Sequence, residues 1–338
     1  MRRLRILVTA VGGDLGQAIV KALRISSYQV EVEGCDMNAS SVGAAFVDHF
    51  HEVPRADSPE YMDSMARICG AEAIDCIIPA SEAEILRLSA SVQSADQLRN
   101  VEVICQPHSW IETFGDKLAC MKALEGLVPL APFADGDDDR AVERLVTECG
   151  FPLVVKPRRL SGSRRVSVVH SAEELQQTRR STPRSIVQGF LEDASREFSV
   201  GVFVCDAFTA AIAYRRALGP VGCSWSAVTC DDPLVLQYAR KICVESGLRG
   251  SANVQVRYGS EGVRLLEINP RFSSLVAARA ACGFRDVDWS LALALGEQPH
   301  RPAGFRHLRF RRFIDEMLDF GDGLATLEEW APRRTRLP

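Results

Sequence analysis

The chain has 338 residues, of which 46% are apolar and 25% are charged, and its formal net charge is −4. This length suffices for more than one packed domain, and the proportions are those of an ordinary globular protein. The charge provides no global field that favours nucleic acid, and no apolar run in the sequence reaches the roughly 18–20 residues that span a bilayer. Small molecules are therefore the expected partners, rather than nucleic acid or a membrane.

The cysteines indicate a reducing environment. There are 11 of them, an odd number, and none forms a CxxC pair. A zinc ribbon is therefore disfavoured, and a disulfide framework is unusual in a chain of this length. We expect reduced thiols in a cytoplasmic protein.

The first hundred residues alternate between strand and helix patterns, which predicts βαβ units and a parallel sheet. Five short segments have the composition of strands: LRILVTAV, YQVEVEGCD, HEVP, IDCIIP and VEVIC. The amphipathic stretches between them are predicted helices. The segment CQPHSWIETFGDK then connects this domain to the rest of the chain.

The first predicted turn, TAVGGDLG, partly matches a dinucleotide-binding fingerprint, because Asp36 follows its glycines by about twenty residues. A nicotinamide-dependent oxidoreductase is therefore an alternative. The glycines are Gly12, Gly13 and Gly16, however, which is not the three-glycine GxGxxG spacing, and a tight strand-to-helix turn explains them equally well.

Two other features of this domain remain open. Ser81 and Glu82 follow a strand at its carboxyl end, where open sheets bind ligands, but helix capping accounts for them equally well. His49 and His51 alternate near a predicted strand, and the sequence shows no third metal ligand beside them.

Basic residues mark the next part of the chain. Lys117 stands near a predicted helix N-terminus, where anions are favoured, although an exposed lysine is the ordinary interpretation. Lys156 ends the apolar strand PLVVKP, and a buried lysine needs an anionic partner. The loop RRLSGSRR follows with Gly162 and Ser163, and its N–H groups and arginines suit either a polyphosphate or a solvated turn.

Strand patterns dominate from Ser185 onward. SIVQGF is an extended apolar segment whose backbone can bond a nucleotide base, and Glu197 lies within the following strand pattern. Glu197 is predicted either to accept hydrogen bonds from ribose hydroxyls or to be an ordinary edge-strand charge.

ANVQVRY and VRLLEIN, joined by the turn GSEG, predict a β-hairpin. Residue numbers that sum to about 522 across the hairpin place Gln255 opposite Glu267, on the face that also carries Asn269. The alternation assigns Leu266 and Ile268 to the opposite face. The oxygen-rich face suits Mg²⁺, with Arg271 just beyond the strand to bind phosphate, although a solvated polar face remains the alternative.

The order of these motifs resembles the ATP-grasp superfamily, in particular the branch of the carbamoyl-phosphate synthase large subunit and the pyrrolysine-biosynthesis ligase. The resemblance covers about residues 1–300, and ANVQVRY…LLEINPRFSS is its most specific part. It implies a mixed α/β and α+β chain in which a parallel α/β pre-ATP-grasp domain precedes a two-lobed ATP-grasp fold. The implied divisions are a pre-ATP-grasp domain at 1–110, a small lobe with the phosphate lid at 111–187, a large lobe with the metal hairpin at 188–300, and an arginine-rich segment at 301–338.

The resemblance also implies a role for each motif residue. Lys117 and Lys156 correspond to the nucleotide-binding lysines, and Gly162 and Ser163 to the mobile phosphate lid. Gln188 corresponds to the adenine hinge, and Glu197 to the ribose acceptor. The magnesium-binding set corresponds to Gln255, Glu267 and Asn269. Arg271 corresponds to the arginine that steadies the transferring phosphoryl group.

The implied activity is that of an ATP- and Mg²⁺-dependent ligase, with Mn²⁺ as an alternative ion. Such enzymes activate a carboxylate as an acyl phosphate, which an amine or another nucleophile then attacks. The expected substrates are amino acids or small metabolites, and the pattern allows a homodimer. A catalytically silent ATP-binding regulator is the third alternative.

Overall fold

The computed structural model describes residues 3–93, 98, 101–160, 165–192, 194–219, 224–313, 316–319 and 324–326. These residues form a five-stranded sheet, a four-stranded sheet, a six-stranded sheet and a two-stranded sheet. The predicted order, a parallel α/β domain followed by α+β lobes, is confirmed. Among the described residues, no helix is long and apolar enough to cross a membrane.

The N-terminal domain contains a parallel sheet with strand order β3-β2-β1-β4-β5. Its strands are Leu4–Val8 (β1), Val30–Asp36 (β2), His49–Glu52 (β3), Cys76–Ile78 (β4) and Glu102–Val103 (β5). Its helices are Asp14–Arg24 (α1), Tyr61–Ala71 (α2) and Glu82–Gln93 (α3). The stretch that the sequence suggested as a further helix is a short 3₁₀ turn at Val42–Phe46.

Two helices link this domain to the small lobe, namely His108–Phe114 (α4) and Lys117–Leu124 (α5). The small lobe contains an antiparallel sheet with order β6-β9-β7-β8. Its strands and helices are Phe133–Asp135 (β6), Asp139–Cys149 (α6), Leu153–Pro157 (β7), Ser167–Val169 (β8), Ala172–Ser181 (α7) and Ser185–Gly189 (β9). Leu153, Val155 and Val187 pack with the two helices to form a separate core.

The large lobe contains an antiparallel sheet with order β14-β13-β10-β11-β12-β15. Its strands are Glu197–Val204 (β10), Thr209–Leu218 (β11), Ser224–Cys230 (β12), Gly250–Gly259 (β13), Gly262–Asn269 (β14) and Arg309–Arg311 (β15). Its helices are Pro233–Glu245 (α8), Val276–Cys282 (α9) and Asp286–Ala294 (α10). A two-stranded pair follows at Met317–Asp319 (β16) and Leu324–Thr326 (β17).

The arginine-rich segment is partly integrated into the large lobe. Arg309–Arg311 pairs antiparallel with β12 and thereby becomes an edge strand of the large-lobe sheet. A strand of three residues, two of them arginines, has too little apolar pattern to be recognised from sequence.

The large lobe shares a core with the N-terminal domain. Phe272, Val276 and Leu291 are buried in the same apolar cluster as Ile6 and Ile19. Helices α9 and α10 therefore pack against α1, and the carboxyl ends of the parallel strands are held close to the end of the β13–β14 hairpin.

Candidate active site

The β13–β14 hairpin has the predicted register. Gln255 pairs with Glu267, and Asn253 pairs with Asn269. Asn269 is buried, and its Nδ2 donates to Glu267 Oε1 over 3.1 Å. The polar face is therefore assembled as the alternation of the strand predicted.

The prediction that Leu266 lies on the apolar face is wrong. The register shifts after Gln255, so that Val256 pairs with Leu265 and Leu266 becomes the extra residue of a bulge. Leu265 is buried in the core, whereas Leu266 lines a cavity. Such a bulge re-aims the backbone, and here the Leu266 carbonyl accepts a hydrogen bond of 3.0 Å from Lys156 Nζ.

Two buried lysines converge on the hairpin. Lys117 Nζ lies 3.2 Å from Glu267 Oε2 and donates to the Leu160 carbonyl over 2.8 Å. Burial lowers the pKa of the Lys156 ammonium to about 8, although Glu267 acts in the opposite direction. Burial also opposes ionisation of Glu267, but Lys117 and Lys156 outweigh it and hold the pKa of that carboxyl below its ordinary value. A charged carboxylate between two cations is thus the stable state of the site.

Lys117 is positioned by the start of α5. Asp116 caps this helix by accepting from the N–H groups of Leu118 and Ala119, and the Arg158 guanidinium contacts the same carboxylate over 2.9–3.0 Å. The Lys117 N–H also donates to the Arg158 carbonyl. The helix start and the end of β7 are therefore tied together, which holds both lysines in one place.

The lysines and Glu267 border a cavity between the two lobes, here called the lobe cavity, of about 180 Å³. Gln188 lines it from β9 and is 3% exposed, and its Nε2 donor has no hydrogen-bond partner among the described residues. Because an unpaired buried donor is costly, this group suits a ligand with an acceptor atom, such as a nucleotide base.

A second cavity, the junction cavity, lies on the other side of Glu267. It is lined by Lys117, Leu160, Glu267, Asn269 and Arg271, and Glu82 of the N-terminal domain also borders it. Lys117, Leu160 and Glu267 line both cavities. The carboxylate that the sequence singled out therefore stands at the boundary between two binding spaces.

A third and larger space, the interdomain cavity, has a volume of about 440 Å³ and shares Ile85, Pro270 and Arg271 with the junction cavity. Gln106 is buried at its wall. Its Nε2 donates to the Arg249 carbonyl over 2.7 Å, whereas its Oε1 has no hydrogen-bond partner among the described residues. Gln106 was not among the predicted site residues, since a glutamine in a connector carries no distinguishing pattern.

Arg216 is the most important residue that the sequence reasoning missed. Its guanidinium donates to Glu197 Oε1 over 2.6 Å and to Gln255 Oε1 over 2.7 Å, and Arg257 contacts the other oxygen of Glu197. Burial opposes ionisation of Glu197, but the two arginines outweigh it and lower the pKa of that carboxyl. Glu197 and Gln255 thus lie at the lobe cavity, yet with arginine partners that were not predicted.

The remaining predicted residues are placed as follows. Arg271 lies between the junction and interdomain cavities, with its guanidinium 3.8 Å from Glu82. Ser81 donates to Glu84 Oε2 and accepts from the Glu84 N–H, so it caps α3. Gly162 and Ser163 lie outside the described residues, and their lid role stays a prediction.

The glycine turn after β1 serves packing. The Gly12 N–H donates to Asp36 Oδ2 over 2.9 Å, and a Cβ atom on Gly12 would lie 2.4 Å from Ser41 Oγ. Asp36 therefore closes the turn, and this role explains the residue without a bound dinucleotide. This arrangement favours the turn interpretation over the oxidoreductase.

Comparison with known families agrees with this geometry. Residues 6–104 match the family described as "PylC-like, N-terminal domain", and residues 181–313 match "ATP-grasp in the biosynthetic pathway with Ter operon". The second match identifies residues 181–313 as an ATP-grasp segment. The resemblance inferred from the motif order is thereby confirmed.

Individual relatives are distant. Formate-dependent phosphoribosylglycinamide formyltransferase of Shigella boydii is 24% identical over 276 residues, which are 77% of this chain and 67% of the relative. The biotin carboxylase domain of 2-oxoglutarate carboxylase from Hydrogenobacter thermophilus, solved with MgADP, superposes with a TM-score of 0.72 at 13% identity, over 88% of this chain and 71% of that one. N5-carboxyaminoimidazole synthetase from Staphylococcus aureus, solved with ADP, superposes with a TM-score of 0.70 at 14% identity, over 88% of this chain and 78% of that one. The predicted class, an ATP-grasp ligase, is confirmed at the level of the family match, and the two solved structures share its fold.

Proposed function

We propose that this ATP-grasp protein activates the carboxylate of an amino acid or small metabolite as an acyl phosphate, which an amine then attacks. One observation carries the proposal: Lys117, Leu160 and Glu267 line both the lobe cavity and the junction cavity. A nucleotide entering from one side and a carboxylate from the other would meet at this shared wall.

The lobe cavity supplies the nucleotide site in this proposal. The Gln188 Nε2, which has no partner among the described residues, and the backbone of Phe190 and Leu191 just after β9 bind the base, and Lys117 and Lys156 bind the phosphates. Glu197 is proposed to accept hydrogen bonds from the ribose hydroxyls, in competition with those from its arginine partners. The lid at Gly162 and Ser163 is proposed to cover the phosphates.

The donor set fits a magnesium ion at Glu267 and Asn269, whose side chains share one face of β14 and touch each other. Gln255 fits less well, because its amide oxygen already accepts from Arg216. We therefore assign the ion to Glu267 and Asn269, with Gln255 as a further ligand only if Arg216 moves. When bound, Mg²⁺ supplies positive charge to the transferring phosphoryl group.

The chemistry then proceeds in two displacements. A substrate carboxylate oxygen attacks the γ-phosphorus, and the bond from that phosphorus to the departing ADP oxygen breaks. The amine nitrogen next attacks the acyl carbon, inorganic phosphate leaves, and the nitrogen loses a proton. Lys117, Lys156 and Arg271 stabilise the charge that builds up on the phosphoryl oxygens, which is the main task of a protein in phosphoryl transfer.

We assign the nucleophile to the interdomain cavity. Arg271 lines both this cavity and the junction cavity, and Gln106 Oε1 is an acceptor without a hydrogen-bond partner among the described residues. An ammonium or amine offers the N–H that this oxygen lacks, whereas a thiol is a weak donor. An amine is therefore the preferred nucleophile over a thiol.

The domain divisions at 1–110, 111–187, 188–300 and 301–338, the cytoplasmic location and a homodimer are retained as parts of the proposal. The strand β9 at Ser185–Gly189 crosses the second division and belongs to the small-lobe sheet. A hinge between the lobes is accordingly expected after Gly189.

The deciding experiment is a screen for ADP release with ATP, Mg²⁺ and pools of carboxylates and amines, with mass spectrometry of the products. ADP is expected only when both pools are present. Glu267→Gln should lower turnover at least about 10²-fold, because it removes the charged ligand that is proposed to hold the magnesium ion at the transferring phosphoryl group. Glu261→Gln, on the exposed turn of the same hairpin, is the matched control and should retain wild-type turnover.

Three results would overturn the proposal. They are binding of ATP without turnover in any combination of pools, release of ADP that does not depend on an amine, and wild-type turnover in Glu267→Gln. The first result would favour the silent regulator.

A further inference from the structure

A second cluster of ligand-type side chains lies in the N-terminal domain, on a part of the sheet that the proposed reaction does not use. Glu31 and Glu33 alternate on β2, and His49 and His51 alternate on the edge strand β3. Glu33 and His49 are direct partners in the parallel register. Glu31, Glu33 and His49 each offer one ligand atom, and these atoms lie within 4.8 Å of one another.

Glu33 supplies an independent sign of a missing ligand. It is 0% exposed, and its Oε2 lies 2.9 Å from His51 Nε2. Its Oε1 is buried and has no hydrogen-bond partner among the described residues. An unpaired carboxylate oxygen in the interior is costly unless a cation or a donor reaches it.

The two oxygens of Glu31 face different partners. Oε2 lies 3.4 Å from Arg5 Nε and 3.7 Å from the Arg3 guanidinium, whereas Oε1 lies 3.3 Å from His49 Nε2. With metal–ligand bonds of about 2.0–2.1 Å, neighbouring ligands of a tetrahedral ion are roughly 3.3 Å apart. Glu31 Oε1 and His49 Nε2 thus already have the separation of adjacent ligands.

We propose that Glu31, Glu33 and His49 hold a divalent transition-metal ion of the zinc class. Glu33 contributes its unpaired Oε1, His51 orients that carboxylate through its other oxygen, and a water completes the tetrahedron. Imidazole nitrogen favours Zn²⁺, Co²⁺ or Ni²⁺ over the Mg²⁺ of the hairpin. Because two arginines share the charge of Glu31, the affinity should be moderate.

The position of the cluster separates it from the catalytic cleft. His49 begins β3 and Glu31 is the second residue of β2, whereas the cleft is reached from Glu82, beyond the carboxyl end of β4. In a parallel sheet, the amino ends and the carboxyl ends of the strands lie on opposite sides. The ion would tie the edge strand to its neighbour and stabilise the N-terminal domain by mass action.

The test is titration of metal-free full-length protein with Co²⁺ followed by visible absorption, and with Zn²⁺ by equilibrium dialysis. The protein carries Glu267→Gln, so that the hairpin does not contribute. One equivalent should bind. His49→Gln should weaken binding at least about 100-fold and His51→Gln about 10-fold, since loss of a partner that only orients a ligand costs about 10–100-fold. The exposed His170→Gln is the matched control and should bind as before.

The His49 side chain is 56% exposed, so His49→Gln is expected to fold, and an unchanged melting temperature without metal verifies this. Zn²⁺ should raise the melting temperature of the parent protein and not that of His49→Gln. Unchanged stoichiometry and affinity in His49→Gln would overturn the proposal. Loss of zinc binding in Cys149→Ser instead would also overturn it, because the exposed thiol would then be the ligand.

Discussion

Lys156 illustrates how a single buried charge is maintained at this site. The side chain is enclosed, its ammonium donates to the Leu266 carbonyl, and burial lowers its pKa to about 8. A cation with so few partners is tolerated because Glu267 stands nearby. A polyphosphate would add the negative charge that the group lacks.

Replacing this lysine tests its role. Lys156→Met keeps the length of the side chain and removes its charge, and we expect the dissociation constant of MgATP to rise about 10- to 100-fold. The corresponding 1.4–2.7 kcal/mol is the range of a charged hydrogen bond. The measurement is isothermal titration calorimetry. Lys122→Met, on the exposed side of α5, should bind MgATP like the wild type, and unchanged affinity in Lys156→Met would remove the lysine from the site.

At the same scale, the sequence predicted the face of the polar hairpin residues but not their partners. The positions of Gln255, Glu267 and Asn269 follow from strand alternation. Arg216 lies on β11, two strands from Gln255, in the run AYRRAL, where the sequence does not distinguish Arg215 from Arg216. Only the pairing of β10 with both β11 and β13 brings Arg216 to Glu197 and Gln255. Non-local pairing of this kind has no signature in a single sequence.

Among the secondary-structure elements, helix α5 contributes most to the site through its N-terminus. Asp116 caps it and binds Arg158, and this arrangement places Lys117 beside Glu267. Burial opposes ionisation of Asp116, but Arg158 outweighs it, and the pKa of the Asp116 carboxyl is lowered. The cap therefore joins helix α5 to strand β7 by charge as well as by hydrogen bonds.

This cap gives the stability a defined pH dependence. An unfolded aspartate has a pKa of about 3.9, and the folded value is lower, so its contribution is complete above about pH 5 and is lost as the pH falls through the folded pKa. Asp116→Ala should cost about 2–4 kcal/mol at pH 7. Asp116→Asn should cost less, because it keeps a capping oxygen, and its deficit should shrink below pH 4.

The measurement is urea unfolding of the wild type and both variants from pH 7 to pH 3. Asp138→Ala removes the side-chain cap of α6, away from the cleft, and serves as the control. It should lose cap stability without a change in the Michaelis constant for ATP. A deficit in Asp116→Asn that is constant across the pH range would contradict the charge argument.

The bulge at Leu266 marks the limit of prediction for elements. Alternation predicts a regular strand, and the sequence RLLEIN offers two leucines of which either can point inward. The core accepts Leu265, and Leu266 is left to line the lobe cavity. The choice depends on packing against α8 and on Lys156, neither of which is visible in the strand itself.

At the scale of the whole molecule, the N-terminal domain and the large lobe behave as one packed body. They share an apolar cluster, and Asp288 of α10 accepts from Ser26 Oγ, Ser27 N–H and Ser27 Oγ in the N-terminal domain. The small lobe has a core of its own, and only Ile186, among the described residues of its sheet strands, is one of the buried residues of the large-lobe cluster. The alternation of strands and helices predicted the parallel domain and the two lobes. It did not predict that the N-terminal domain and the large lobe would share a core.

Asp288→Ala is expected to weaken this association. It removes the three hydrogen bonds from the N-terminal domain and one from Arg285, and we expect a loss of about 2–3 kcal/mol in the free energy of unfolding. Urea unfolding followed by tryptophan fluorescence measures the loss, with Trp289 on the same helix as Asp288 as one reporter. Asp206→Ala removes an exposed carboxylate and should change stability by less than about 0.5 kcal/mol. Equal losses in the two variants would contradict the assignment.

The wall that Lys117, Leu160 and Glu267 share has a consequence for inhibition. A compound that joins an adenine nucleotide to an acyl group through a stable phosphorus link would occupy both spaces as one molecule, and the second contact would form at the high effective concentration of a tethered partner. Such a bisubstrate compound should bind far more tightly than either fragment. The length of its linker would report how far apart the two halves of the reaction are held.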